Sequence, residues 1–108
     1  MRDVQISEDA LEDLNYGSLF YEAQESGLGE YFAACLRADI EGLKISAGIH
    51  RVVFRDYHRL LSRVFPYGIF YTIDQKSAVV WAVVDLSRCP VWVRKRLADQ
   101  DGTRGLSQ

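Results

Sequence analysis

His58-Arg59-Leu60-Leu61-Ser62-Arg63-Val64-Phe65-Pro66-Tyr67-Gly68-Ile69-Phe70-Tyr71 is followed by Val79-Val80-Trp81-Ala82-Val83-Val84-Asp85 and Arg88-Cys89-Pro90-Val91-Trp92. This run reads as consecutive sheet strands closed by an arginine and a proline-led helix. Leu60 to Phe65 is expected to be one strand, ended by Pro66, which cannot donate to a sheet ladder. Ile69 to Ile73 is the next, and Asp74-Gln75-Lys76-Ser77 supplies a hairpin turn. Ala78 to Val84 is almost continuously apolar, so it belongs at the centre of the sheet. Pro90 suits the first turn of a helix, which Val91 to Leu97 can continue.

Upstream, Asp3-Val4-Gln5-Ile6 alternates polar and apolar and fits a short first strand. Ser7 stands where an N-cap should, with Glu8 and Asp9 in the first turn behind it. Leu11, Leu14, Ser18 and Tyr21 then recur at helical spacing, with Gly17 a weak point. Glu25-Ser26-Gly27 breaks this helix. A second stripe runs Leu28, Phe32, Cys35, Leu36, Ile40 and Leu43, so the two helices form a hairpin. Ile49 to Tyr57 reads as a short extended segment or a loop carrying basic residues. The order is β-α-α-β-β-β-α, an α+β domain with a helical hairpin on one face of an antiparallel sheet.

The 108 residues suit one small domain, placed at 1–97, with a polar tail at 98–108 expected to be flexible. No stretch is apolar enough for a membrane span, and Met-Arg-Asp-Val-Gln-Ile is too polar for a signal segment. A cytoplasmic chain is expected, with no membrane partner. Cys35 and Cys89 lack metal-ligand spacing, so both read as structural thiols, and no metal or cofactor is expected.

The formal net charge is −2, but it is unevenly spread. Residues 1–48 hold three basic side chains against ten acidic ones, a net of −7. Residues 49–97 hold nine basic against three acidic, a net of +6. Two outcomes are open. The halves stay apart and offer a basic surface to an acidic partner, or the acidic helices pair with the basic sheet.

On Arg59 to Tyr71 with its Phe65-Pro66-Tyr67 junction, Val79 to Asp85, and Arg88-Cys89-Pro90-Val91-Trp92, the chain resembles the RelE/ParE superfamily. These are toxins of type II toxin–antitoxin modules, also called plasmid stabilisation systems. The resemblance spans residues 3–97. It implies a toxin that arrests growth and is neutralised by a cognate antitoxin, usually encoded beside it, which folds as it wraps the toxin. RelE-like members cut messenger RNA on the ribosome; ParE-like members act on DNA gyrase and need no nuclease site.

Metal-free RNA cleavage needs a base, cations for the charged transition state and an acid for the leaving oxygen. The residues able to supply these are His58, Arg59, Arg63, Tyr67, Tyr71 and Arg88. RelE-like nucleases, however, carry a lysine- and arginine-rich central sheet, whereas this chain has only Lys76 there, in a turn. Trp92 reads as an anchor of the terminal helix, Tyr67 and Tyr71 as packing residues, and Arg88 as able to bridge to Glu12 or Asp13. The resemblance therefore points to the ParE-like branch, with gyrase inhibited by binding. The partner surface is placed on Arg59, Arg63 and Arg88 of the sheet's basic face, together with Trp92, Arg94, Lys95 and Arg96. The alternatives are a ribosome-dependent mRNA endonuclease, or a non-toxic member that only binds a partner.

Overall fold

The computed structural model describes residues 1–106. Its elements are β1 (Asp3–Ile6), α1 (Glu8–Gln24), α2 (Leu28–Glu41), α3 (Leu43–Ser46), β2 (Val52–Phe54), β3 (Tyr57–Leu61), β4 (Tyr67–Ile73), β5 (Ser77–Asp85) and α4 (Pro90–Leu106). The five strands form one sheet in the order β1-β5-β4-β3-β2. The α+β architecture is the expected one. Three pairings are antiparallel, while β1 runs parallel to β5, with Asp3 opposite Ser77 and Ile6 opposite Val80.

Ser7 caps α1 as its position suggested: its Oγ accepts from the Ala10 amide at 3.1 Å. Gly27 makes the break between α1 and α2 with φ of 89°, a conformation that favours glycine. The Glu22 carboxylate then accepts from the amides of Gly27 and Gly29, both at 2.9 Å, satisfying donors at the start of α2. Gly17 is no weak point. A Cβ there would lie 2.6 Å from the Phe32 ring, so its absence lets the two helices meet.

Leu14, Phe32, Leu36 and Ile40 of the hairpin pack on Ile69, Tyr71 and Val80, forming one core layer. A second layer lies on the opposite sheet face. There α4 places buried Leu97 and half-buried Val93 over Tyr57, Phe70, Ala82 and Val84. The sheet is thus covered on both sides, where the sequence suggested a helical layer on one. A bulge in β5 switches which of its residues face each layer. Val80 pairs with Tyr71 and Ala82 with Phe70, leaving Trp81 as the extra residue. Even-numbered Val80 therefore faces the hairpin while even-numbered Ala82 and Val84 face α4.

Three boundaries differ from expectation. β3 runs Tyr57–Leu61 and stops before Ser62. Asp39 draws the following loop aside, accepting from Ser62 Oγ at 3.0 Å and from the Arg63 amide at 3.3 Å. The ambiguous basic segment supplies edge strand β2, joined to β3 by a tight turn at Arg55 and Asp56. Finally, the tail expected to be flexible from residue 98 is helical to Leu106. Gln100 is buried, and Asp101 and Arg104 tie the helix to that turn. Residues 107–108 lie outside the described residues. Among the described residues, no helix is long and apolar enough to cross a membrane.

Candidate functional site

Adjacent strand residues face opposite sides of a sheet, and this divides the candidate residues. Arg59 projects to the α4 side. It lines a groove of about 300 Å³ whose floor includes Phe54, Leu61, Phe70 and Val93. Arg88, from the turn after β5, and Arg94, from α4, line the same groove. Three arginines from separate elements thus rim one apolar-floored depression. Among the described residues none of the three has a carboxylate within salt-bridge distance.

His58 faces the other way. Its ring stacks on Tyr71 with centroids 5.0 Å apart, and its Nδ1 donates to the His50 carbonyl at 2.7 Å. Tyr71 is fully buried; its hydroxyl accepts from the Gly48 amide at 3.0 Å and also bonds His50 Nδ1. Burial, and then the neighbouring His58, hold His50 below the usual histidine range. These groups pin the segment between α3 and β2 on the hairpin side of the sheet.

Arg63 does not share a strand with Arg59. It sits exposed in the loop between β3 and β4. Tyr67 is buried against Tyr21 and Phe32. Burial, then the nearby Tyr21 and Asp85, push its hydroxyl up to about 12, so it stays protonated at neutral pH. The six residues considered for RNA cleavage are therefore not gathered in one place.

The α4 residues also separate by role. Arg94 belongs to the groove, and exposed Lys95 lines neither the groove nor the slot described next. Arg96 is held in a two-pronged bridge to Asp13 of α1 at 2.9 and 2.8 Å. Against the cost of its burial, the Asp13 hydrogen bond and charge hold its guanidinium above the ordinary range. Arg96 thus makes the link to α1 that the sequence suggested for Arg88. Trp92 is 42% exposed rather than an anchor, since Leu97 and Val93 hold α4 to the sheet. The Arg88 guanidinium lies over the Trp92 ring, 4.9 Å from its centroid.

Beyond Arg88 a second depression, a slot of about 160 Å³, opens between α1 and the start of α4. Tyr16, Phe20 and Trp92 wall it, and Tyr67 and Val83 lie beneath. The sequence does not single out either ring as a surface site: Phe20 reads as a widening of the apolar stripe of α1, and Tyr16 falls on the side away from Leu11, Leu14, Ser18 and Tyr21. The 70% exposure of Tyr16 follows from the position of α2, which covers the adjacent face of α1.

The two charge halves are largely unpaired with one another. Among the described residues, Arg96–Asp13 is the one salt bridge joining the basic 49–97 region to the acidic helices. Cys35 and Cys89 are both free, Cys89 exposed. No cluster of three or more metal-binding side chains is assembled among the described residues.

No family model and no curated protein matches the chain. Among solved structures it is similar to one described as the chromosomal ParDE TA system from P. aeruginosa. The TM-score is 0.70 at 12% sequence identity, covering 79% of this chain and 96% of the other. At that identity the likeness concerns the fold. The chain has the ParE-like fold that the sequence resemblance implied.

Proposed function

We propose that this chain is the toxin of a type II toxin–antitoxin module, that it acts in the cytoplasm, and that it inhibits DNA gyrase by binding. The observation that carries the reading is the convergence of Arg59, Arg88 and Arg94 on an apolar-floored groove, with no carboxylate within salt-bridge distance of any of them among the described residues. Arginine rims over apolar floors suit partner recognition, because desolvated arginines and buried apolar contacts dominate binding energy. The likeness to a ParDE system supports an antitoxin as one partner. The separation of His58, Arg63 and Tyr67 from the groove supports binding over RNA cleavage. An RNA site would want a base and an acid beside the phosphate-binding cations.

The same groove suits the antitoxin. An acidic segment that folds on contact would be drawn to the +6 region and would cover the arginines that the target needs. Controlled expression of the chain, alone and with the protein encoded beside it, tests the reading. Growth arrest relieved by the neighbour is expected. No arrest would favour a non-toxic member that only binds a partner. Arrest with codon-dependent mRNA cuts would favour the ribosome-dependent endonuclease.

A further inference from the structure

Arg88 lines both depressions: the groove under α4 and the aromatic slot between α1 and α4. Three exposed rings stand at the slot, Tyr16 at 70%, Phe20 at 49% and Trp92 at 42%. Large aromatic side chains so exposed beside an arginine are the composition of a binding hot spot. Among the described residues, neither carboxylate that lines the slot lies within salt-bridge distance of Arg88. Asp13 takes Arg96 and the Val83 amide, and Asp85 takes the Ser87 amide at 2.9 Å. That leaves Arg88 as the cation open to an incoming anion. It stands at the start of the 17-residue α4, whose first turn contains no acidic side chain. A carboxylate there would meet both the guanidinium and the positive end of the helix.

We infer that the partner segment does not end in the groove but crosses Arg88 into the slot, and that it is an acidic peptide of a defined pattern. One carboxylate pairs with Arg88. A bulky apolar side chain on one side of it fills the larger groove, and a smaller aliphatic one on the other enters the slot between Tyr16, Phe20 and Trp92. Further acids meet Arg59 and Arg94. The inference rests on the proposed partner-binding role of the groove and extends it to the exposed rings of α1.

A random peptide library displayed against the purified full chain tests this. The expected consensus is a Glu or Asp flanked by two apolar residues. The selected peptide, fluorescently labelled, is then titrated against three variants whose melting curves match the wild type. Arg88→Ala should weaken it about tenfold or more, and Tyr16→Ser with Phe20→Ser about fivefold. Arg59→Ala with Arg94→Ala should weaken it as well. Loss of binding in the Arg59/Arg94 pair with none in the Tyr16/Phe20 pair would overturn the slot and leave the groove standing. Binding unchanged in all three variants, or a consensus without an acid, would overturn both.

Discussion

Asp13 touches two elements at once. β1 ends at Ile6 opposite Val80, so beyond that point β5 has no strand on its outer side. The Val83 amide there donates to Asp13 Oδ2 at 2.9 Å, and the same carboxylate holds Arg96 of α4. Asp13→Ala would leave a part-buried guanidinium and a strand amide without partners. We expect it to lower stability by about 3 kcal/mol, read from urea unfolding. Arg96→Ala should cost a similar amount without preventing binding at the groove. Gly17 offers a second test. Gly17→Ala would normally favour a helix, but here the new methyl meets Phe32 at 2.6 Å. A loss of about 1–3 kcal/mol is expected from overpacking, and a gain in stability would contradict the close helix contact. Arg59 and Trp92 show what a sequence conveys at this scale. Arg59 among the sheet strands was legible as a surface arginine. The exposure of Trp92 was not, since a large aromatic in the first turn of a terminal helix reads as its anchor.

At the scale of elements, the end of α4 is latched to the β2–β3 turn. Arg104 bonds Asp56 through both oxygens at 3.0 and 2.9 Å, and Asp101 accepts from Tyr57 Oη at 2.6 Å and from Arg55. Arg55 itself has φ of 50°, strained for a residue other than glycine, and its side chain pairs with Asp101. The Arg104 hydrogen bond holds Asp56 below the ordinary carboxylate range despite partial burial. For Asp101, burial acts upward, but the Tyr57 and Arg55 bonds outweigh it and the net direction is down. Both groups bind fewer protons folded than unfolded. Their contribution is therefore complete at neutral pH and is lost as pH falls below about 4 and through the folded values. Asp101→Asn should thus melt below the wild type at about pH 7, with the gap closing towards about pH 3. A gap independent of pH would contradict the latch.

That latch was not legible in advance, for a physical reason. Its partners are 46 and 48 residues apart, and Gly102 and Gly105 dilute the helical signal of the segment that carries half of it. The start of α1 and the break between α1 and α2 were legible, because Ser7 and Gly27 act through neighbouring backbone atoms. The end of β3 was not, since Asp39 sets it from another element.

Over the whole molecule, the charge asymmetry of the sequence survives folding. The acidic helices and the basic region meet through one described salt bridge, so most of the positive charge around the groove is not neutralised internally. Partner association should accordingly be steered by charge, and its rate should fall as salt rises. A stopped-flow rate that does not change with ionic strength would count against this steering.

Under the proposed function, the chain grips gyrase through the arginine-rimmed groove. The most direct test is a gyrase supercoiling assay titrated with the purified chain and with the Arg59→Ala/Arg88→Ala/Arg94→Ala variant, both shown to be folded. The wild type is expected to block supercoiling and the triple variant is not. Supercoiling that proceeds undiminished in excess wild-type protein, or inhibition that survives loss of all three arginines, would contradict it.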